Sequence, residues 1–313
     1  MTHSLLILTR RTDEYRRLIG EARLPDLTLT ATDDPVVARE QAASYDVAFG
    51  EPSLLRQVLP QMTSLRWAQS TWAGVEPLLD PALRRDYVLT NARGVFGRLM
   101  SEYVFAYLLA HERCILEKYA SQQERRWDPT RPGTLLDKRI GLLGVGSIGA
   151  VLARTAKHFG MIVHGYTRVS EECSDVDAYF HGDGLAAFAS ELDYLVSVMP
   201  ATAATRHLVD ETLLRALPPR AVFVNPGRGG VVDETALMSA LRDGRLAGAV
   251  LDVFQTEPLP PDHALWITPN VLITSHTAAL NVPADIVGVF VDNYRRWASG
   301  KPLQHIVDFE KGY

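Results

Sequence analysis

Arg228, Glu257 and His276 follow three separate apolar segments in the second half of the chain. They lie three, four and two residues after the ends of predicted β-strands. Because the carboxyl ends of parallel strands meet at one edge of a sheet, we expect the three side chains to lie close together. A guanidinium can bind a substrate carboxylate, an imidazole can protonate a carbonyl oxygen near neutral pH, and a carboxylate beside the imidazole would favour its cationic form. Each residue alone is more often an ordinary loop side chain, so the prediction rests on their joint placement.

A glycine-rich turn near the middle of the chain predicts a dinucleotide-binding site. Residues 144–149, Gly-Val-Gly-Ser-Ile-Gly, fit the G-x-G-x-x-G pattern between an apolar strand, 139–143, and a helix with one apolar face. The glycines would permit a tight turn and bring a pyrophosphate close to bare backbone, and the first N–H groups of the helix would point at an anion. A turn that binds nothing is the alternative, but the second apolar strand, 161–166, favours nucleotide binding. The predicted contacts are Gly144, Gly146, Ser147, Ile148 and Gly149.

The end of that second strand bears on which nicotinamide cofactor is used. An Asp or Glu commonly binds the adenosine ribose there, but the position 18 residues past Gly149 is Thr167, followed by Arg168. A hydroxyl and a guanidinium suit a 2′-phosphate, since arginine offers several donors to its oxygens. The alternative is a solvated loop arginine. We therefore predict NADP(H) as the preferred cofactor, with NAD(H) possible.

Length and composition limit the classes of protein. The chain has 313 residues with 47% apolar composition, long enough for two domains, and a net charge of −5 without a polybasic run. These values predict no nucleic-acid partner and no membrane segment, since the apolar run near the N-terminus is short. The two cysteines match no metal or redox spacing, so we expect no metal site and a cytosolic location.

Apolar strands alternate with helical segments along the whole chain, which predicts α/β units with doubly wound parallel sheets. In the first 100 residues, strands are expected at 5–8, 45–50, 65–69 and 87–90, with Thr12 capping a helix. The turn 70–75 follows one of these strands. Backbone N–H groups of this turn could hold a carboxylate, or it could be an ordinary connection. The substrate contacts expected in it are Trp72, Ala73 and Gly74.

The segment between the two halves contains an apolar helix and a polar arm. Residues 101–118 are apolar on most sides, which predicts a buried helix. Residues 117–138 carry Trp127 among prolines and polar residues and are expected to be irregular. The arm could be a disordered linker, but an exposed tryptophan favours an arm that packs on a second subunit.

Four sequence stretches together resemble the D-isomer-specific 2-hydroxyacid dehydrogenase family, near its glyoxylate/hydroxypyruvate reductase branch. They are GVGSIG at 144–149, NPGRGGVVDE at 225–234, LDVFQTEPLP at 251–260 and SHTA at 275–278. The resemblance implies catalytic roles for Arg228, Glu257 and His276. It also implies that Asp252 holds the nicotinamide carboxamide and that the turn 70–75 meets the substrate carboxylate. The family histidine usually follows a proline, whereas Ser275 stands here.

The family architecture implies two doubly wound parallel-sheet lobes. A Rossmann cofactor domain, residues 101–280, would be inserted into a smaller flavodoxin-like substrate domain, residues 1–100 plus 281–313, with the site in the cleft. Family members are usually homodimers joined through the cofactor domain, which supports the arm interpretation. Further cofactor contacts are expected from Met199, the last residue of the predicted strand 193–199, and from Pro200 and Thr205 in the loop that follows.

The hypothesis from the sequence is a reductase that converts a small 2-oxoacid to the D-2-hydroxyacid. A dinucleotide-sensing binding protein on the same fold is one alternative, although a sensor needs none of the three chemical side chains. A phosphite-type dehydrogenase is another. A formate-type enzyme is disfavoured, because that type usually has glutamine where Glu257 stands.

Overall fold

The structure is a computed structural model that describes residues 2–313, and it divides into two compact α/β units. The first unit consists of the residues up to Val95 together with Asn281–Tyr313, and the second unit is Phe96–Leu280. The chain thus leaves the first unit, forms the whole of the second, and returns.

The regular elements of the described residues are numbered in chain order. The strands are β1 His3–Leu8, β2 Leu27–Thr32, β3 Val47–Gly50, β4 Trp67–Ser70, β5 Val88–Thr90, β6 Arg139–Leu143, β7 Ile162–Tyr166, β8 Ala178–Phe180, β9 Tyr194–Ser197, β10 Val222–Asn225, β11 Gly248–Leu251 and β12 Val271–Ile273. The α-helices are α1 Thr12–Glu21, α2 Pro35–Glu40, α3 Pro52–Val58, α4 Gly97–Glu112, α5 Ile115–Gln123, α6 Ser147–His158, α7 Leu185–Ala189, α8 Glu211–Ala216, α9 Glu234–Arg242 and α10 Pro283–Ala298.

The first unit is built on a five-stranded parallel sheet in the order β2-β1-β3-β4-β5. Its strands β3 and β4 are buried along their whole length, as expected for a sheet covered on both faces. Helix α10 comes from the C-terminal segment and places Phe290 against this sheet, stacked on Trp67 with ring centroids 5.2 Å apart. Phe290 also meets the edge of Phe49 at 5.2 Å. The C-terminal helix is therefore part of the core of the first unit.

The second unit contains a seven-stranded sheet in the order β12-β11-β10-β9-β6-β7-β8, with all neighbours parallel. Separate apolar clusters cover it, one around Phe188 and Phe223 and another around Leu142 and Val224. Both units have the predicted doubly wound parallel sheets, so the expected fold class is confirmed. Because all seven strands are parallel, their carboxyl ends lie at the same edge of the sheet.

Several local predictions were wrong. Strands β2 and β8 were not predicted, because the alternation of Leu and Thr in β2 leaves it only half-buried and β8 has three residues. Thr12 is the first residue of α1 rather than its cap, and its hydroxyl donates to the carbonyl of Thr9. Asp233, by contrast, caps α9 as predicted, accepting from the N–H of Ala236 at 3.0 Å.

The expected single helix over 101–118 is two helices. Helix α4 ends at Glu112 and α5 begins at Ile115, with Cys114 between them in a left-handed conformation at φ 51°. Helix α5 continues to Gln123, so the first part of the predicted irregular arm is helical. The rest of the arm, 124–138, has no regular element, and Trp127 in it is 92% exposed.

Phe290→Ala should destabilise the first unit by about 3–5 kcal/mol, because it removes a fully buried ring from between Trp67 and Phe49. Urea unfolding followed by the fluorescence of the buried Trp67 measures the effect. Val36→Ala, at a position 62% exposed, is the matched control and should change little. A loss below about 1 kcal/mol for Phe290→Ala would contradict the packing described here.

Candidate active site

Arg228, Glu257 and His276 follow three adjacent parallel strands, β10, β11 and β12. Glu257 lies six residues past the end of β11 and His276 three past the end of β12, because these strands are shorter than the sequence suggested. Parallel strands present their carboxyl ends at one edge, so the three loops emerge side by side in the second unit.

Glu257 and His276 are in direct contact. The Nδ1 atom of His276 lies 2.7 Å from Oε2 of Glu257, and the other carboxylate oxygen accepts the N–H of Phe254 at 2.9 Å. The carboxylate is thus fixed by the backbone of its own loop and in turn orients the imidazole ring. The side chain of His276 is 46% exposed and that of Glu257 is 34% exposed, so a small molecule can reach them.

The loop that carries His276 is held by Asp252, which is 1% exposed. The carbonyl oxygen of Asp252 accepts the N–H of His276 at 2.8 Å, and its carboxylate accepts the N–H groups of Thr277 at 2.8 Å and Ala278 at 2.9 Å. The hydroxyl of Thr274 donates to the same carboxylate. These bonds hold His276 at φ 55°, a left-handed conformation that few non-glycine residues adopt.

Asp252 therefore has a structural task in addition to the carboxamide contact that the resemblance implies, which stays a prediction. Tyr103 of α4 adds to this network, since its hydroxyl lies 2.8 Å from that of Thr274. Burial, with a smaller contribution from the Asp252 carboxylate, raises the pKa of Tyr103 well above its usual value. Tyr103 was not predicted as a site residue, because only its place in an apolar helix distinguishes it in the sequence.

The loop of Arg228 begins at Asn225, the last residue of β10. The side-chain amide of Asn225 donates to the carbonyl of Arg228 at 3.1 Å, and its carbonyl accepts the N–H of Gly227 at 3.2 Å. Arg228 is half-buried, and its Nη1 donates to the carbonyl of Gly227 at 2.9 Å. Asn225 therefore sets the course of the chain on both sides of the arginine.

The Arg228 and Glu257 loops are packed tightly against each other. A Cβ atom on Gly229 would lie 2.0 Å from the carbonyl carbon of Phe254, so only glycine permits this approach. Gln255 adds two bonds: its Nε2 donates to the carbonyl of Val232 at 2.7 Å, and its N–H donates to Oε1 of Glu234 at 2.8 Å. Gln255 and Glu234 were not predicted as site residues, because hydrogen bonds between distant loops leave no local pattern.

The glycine turn has the shape that a pyrophosphate requires. Gly144 adopts φ 95°, and a Cβ atom on Gly149 would lie 2.3 Å from the carbonyl oxygen of Gly144. Helix α6 begins at Ser147 with Gly146 as its cap, so the N–H groups of Ser147, Ile148 and Gly149 precede the first helical hydrogen bond. The residues present thus fit a dinucleotide phosphate, and the predicted contacts at 144–149 lie on one turn.

Three further predicted cofactor contacts lie in the loop after β9, the strand next to β6. The hydroxyl of Thr205 donates to the carbonyl of Pro200 at 2.7 Å and accepts the N–H of Thr202 at 2.9 Å, which closes the loop into a compact turn. Met199 lies beside the glycine turn, with its Cγ 3.3 Å from a Cβ built on Gly144. The structure therefore brings Met199 to the turn, while Thr205 shapes the loop behind it.

At the end of β7, Thr167 is 8% exposed and Arg168 is exposed. The Thr167 hydroxyl donates to the carbonyl of Ser170 at 2.7 Å and lies 3.1 Å from Nδ1 of His181. The hydroxyl that the sequence assigned to a 2′-phosphate is thus already used as a donor within the protein. His181 was not predicted as a site residue, because nothing in the sequence indicated that it returns to the end of β7.

In the first unit, the turn after β4 carries the predicted substrate contacts. Trp72 is 44% exposed, and its N–H donates to the hydroxyl of Ser70 at 3.0 Å. The amide of Asn91 donates to the carbonyl of Ala73 at 2.8 Å, which fixes the turn from the neighbouring strand. The N–H groups of Ala73 and Gly74 have no acceptor among the described residues, as an anion-binding turn requires.

Residues 2–313 contain no group of three or more His, Cys, Asp or Glu side chains arranged to hold a metal ion. Within the same range, every helix is too short or too polar to cross a membrane.

Two doubly wound parallel units, one with a glycine turn suited to a dinucleotide, define a dinucleotide-binding class of α/β protein. Residues 105–278 match the family model described as "D-isomer specific 2-hydroxyacid dehydrogenase, NAD binding domain". The chain belongs to the D-isomer-specific 2-hydroxyacid dehydrogenase family, as predicted. It is accordingly an NAD(P)-dependent dehydrogenase.

Named relatives place the chain near one branch of the family. It is 33% identical over 278 residues to glyoxylate/hydroxypyruvate reductase A of Photorhabdus laumondii, covering 87% of this chain and 88% of that protein. Among solved structures it is similar to a D-isomer specific 2-hydroxyacid dehydrogenase family protein from Aeromonas salmonicida, with a TM-score of 0.92 and 40% identity over 99% of this chain and 100% of the other. It is also similar to an NADPH-dependent glyoxylate/hydroxypyruvate reductase from Sinorhizobium meliloti, solved with NADP and sulfate, with a TM-score of 0.88 and 28% identity over the full length of both chains.

Gly229→Ala should lower kcat/KM for a 2-oxoacid by about 10²-fold, because the added Cβ would push the Arg228 loop away from Phe254. The loops of Arg228 and Glu257 would then both be misplaced. Steady-state kinetics measures the loss. Gly230→Ala is the matched control, since a Cβ there meets nothing within 4 Å. Equal activity of the two variants would show that the close approach at Gly229 does not position the site.

Proposed function

We propose that this protein is an NADP(H)-dependent reductase that converts a small 2-oxoacid, of the size of glyoxylate or hydroxypyruvate, to the D-2-hydroxyacid. The observation that carries the proposal is the hydrogen-bonded Glu257–His276 pair on the loops after β11 and β12, next to the β10 loop that carries Arg228, in a member of this dehydrogenase family. Reduction of a keto acid requires a proton donor for the carbonyl oxygen and is helped by a cation that binds the carboxylate. The acid–base pair can supply the proton, and the arginine can supply the cation.

The bound nicotinamide would supply the hydride, and the protein residues would supply the remaining chemistry. His276 protonates the substrate oxygen through Nε2, since Nδ1 is engaged with Glu257. Glu257 stabilises the imidazolium and keeps the ring in place. Arg228 binds the substrate carboxylate and polarises the adjacent carbonyl, and the N–H groups of Ala73 and Gly74, with Trp72 beside them, are proposed as further carboxylate contacts.

Cofactor binding is proposed at the glycine turn and the loops around it. The N–H groups of Ser147, Ile148 and Gly149 would hold the pyrophosphate, and Asp252 the carboxamide. NADP(H) is preferred over NAD(H) in this proposal, because Thr167 and Arg168 stand where an acid would hold the ribose hydroxyls. The NADP-bound relative from Sinorhizobium meliloti supports the same preference.

The direct test is steady-state oxidation of NADPH and NADH by the purified protein with glyoxylate, hydroxypyruvate and larger 2-oxoacids. We expect turnover with at least one small 2-oxoacid, a D-configured product where the product is chiral, and a higher kcat/KM with NADPH. Binding of NADPH without turnover across the panel would instead favour a dinucleotide-sensing protein, and phosphite-dependent reduction of the oxidised cofactor a phosphite dehydrogenase.

His276→Gln should lower kcat by about 10²-fold or more with little change in cofactor affinity, because it removes the proton donor and leaves the nucleotide turn intact. Stopped-flow or steady-state kinetics, with NADPH binding measured by fluorescence, separates the two effects. His158→Gln, an exposed histidine at the end of α6, is the matched control and should keep full activity. Retention of wild-type kcat by His276→Gln would remove His276 from the mechanism.

We also propose a homodimer in which the arm packs on a second subunit, and a cytosolic location consistent with the two free cysteines. Support for the dimer comes from apolar side chains that α5 and the arm leave exposed: Ile115 and Leu116 at 50%, Tyr119 at 60% and Trp127 at 92%.

Trp127→Glu should shift the protein from dimer to monomer, because it places a charge in the proposed contact. Light scattering coupled to gel filtration measures the mass at matched concentrations. Trp266→Glu, at a half-exposed tryptophan elsewhere in the second unit, serves as the control and should leave the mass unchanged. A wild-type monomer, or a Trp127→Glu dimer of unchanged stability, would contradict the arm interpretation.

A further inference from the structure

His181 lies directly after β8, beside the end of β7 where the adenosine ribose of a dinucleotide is expected. The two strand ends are joined by the N–H of Thr167, which donates to the carbonyl of Phe180 at 3.1 Å. This brings the imidazole against Thr167: its Nδ1 lies 2.9 Å from the Thr167 carbonyl oxygen. On the other side of the ring, Nε2 lies 2.8 Å from Oε1 of Glu171.

These contacts favour the cationic form of the His181 ring. A carbonyl oxygen and a carboxylate oxygen can only accept, so each nitrogen of His181 must carry a proton to make its bond. Hydrogen bonds to Glu171 and to the Thr167 carbonyl accordingly raise the pKa of His181. Other titratable groups packed nearby are Tyr179, whose ring is parallel to His181 at 6.4 Å, and Tyr166, whose hydroxyl donates to the carbonyl of Gly182 at 2.7 Å. Arg168, Glu172 and Asp183 are close in the chain. Both contacts thus favour the imidazolium form of His181, and Arg168 follows its partner Thr167 directly in the chain.

Glu171 supplies the anion that this imidazolium binds in the protein alone. Its side chain is 60% exposed and lies on the loop after β7, so its ion pair with His181 contributes little to stability. An exposed carboxylate on a loop can turn into solvent at small cost when a stronger anion arrives. A phosphate monoester carries close to two negative charges at neutral pH and offers three acceptor oxygens.

We propose that His181 is a specificity-determining residue that binds the 2′-phosphate of NADP(H), and that Glu171 occupies the place of this phosphate until the cofactor displaces it. The inference rests on the proposed use of a dinucleotide at the glycine turn and extends it to a residue outside the turn. It also explains how a phosphate is held although the Thr167 hydroxyl already donates to Ser170.

A purely structural role is the competing explanation, in which His181 only ties the loop 167–171 to β8. The two explanations differ in what they predict for nucleotides that lack the 2′-phosphate. Loss of a structural tie would weaken every adenine nucleotide alike, whereas loss of a phosphate contact would weaken only those with a 2′-phosphate.

The test uses calorimetric binding of 2′,5′-ADP and 5′-AMP, which differ only in the 2′-phosphate, to the full-length protein. His181→Gln keeps a neutral donor but removes the charge, so we expect about tenfold weaker binding of 2′,5′-ADP, in line with the loss of a charge-assisted hydrogen bond. Binding of 5′-AMP should stay within about twofold. Glu171→Gln should tighten 2′,5′-ADP several-fold, since the competing anion is removed.

His158→Gln is the matched control, because it removes an exposed imidazole at the opposite edge of the same sheet and should change neither affinity. Equal weakening of both nucleotides by His181→Gln, or no weakening of 2′,5′-ADP, would overturn the inference. Failure of the wild-type protein to bind either nucleotide would overturn the proposed cofactor use itself. A wild-type protein that binds both nucleotides, together with a His181→Gln variant that keeps its discrimination for the 2′-phosphate, therefore identifies a failure of this inference alone.

The pH dependence provides a second readout. The imidazolium is present below the pKa of His181 and lost above it, so the preference for 2′,5′-ADP over 5′-AMP should fall as pH rises through that raised pKa. Ionisation of the 2′-phosphate is common to all variants, so the difference between the wild-type and His181→Gln profiles isolates the histidine. Superimposable profiles would contradict a phosphate contact from His181.

Discussion

One buried carboxylate, that of Asp252, organises the edge of the sheet on which the proposed chemistry depends. A buried carboxylate is costly unless it is fully hydrogen-bonded, and here three donors from residues 274–278 satisfy it. The bonds therefore stabilise one conformation of the loop that carries His276. The N–H of Asp252 itself donates to the carbonyl of Asn225 at 3.1 Å, and the Asn225 amide donates to the carbonyl of Arg228. Loops after three strands are thus linked in a single hydrogen-bonded chain.

Besides the hydrogen bonds of Asp252 and Asn225, a second link joins the Arg228 and Glu257 loops, and it is steric as well as polar. Gly229 lets the backbone lie directly on Phe254, and Gln255 is bonded both to Val232 and to Glu234. Together the two links leave few degrees of freedom for the three proposed catalytic side chains. A site held in this way is preorganised, because the protein does not have to order these loops when a substrate binds.

The sequence predicted what depends on local pattern and missed what depends on contacts between distant segments. Buried strands such as β6 and β10 were found because they are continuous apolar runs, and the helix capped by Asp233 because capping is local. The half-buried β2 and the three-residue β8 lack such a pattern. Missing β8 also hid His181, whose position beside Thr167 exists only once β7 and β8 pair. The same limit explains why Tyr103 and Gln255 gave no signal.

Ser275 stands where the family usually has proline, and the hydrogen bonds around it take over the restraint that a proline would provide. A proline at this position would restrict the backbone just before His276 by fixing one dihedral angle. In this chain the same segment is restrained by Asp252, which binds Thr274 on one side and Thr277 and Ala278 on the other. The N–H of His276 donates a hydrogen bond to the carbonyl of Asp252, and Glu257 fixes the imidazole ring. Because the residues flanking position 275 are already held, the loop does not need a proline to present the histidine.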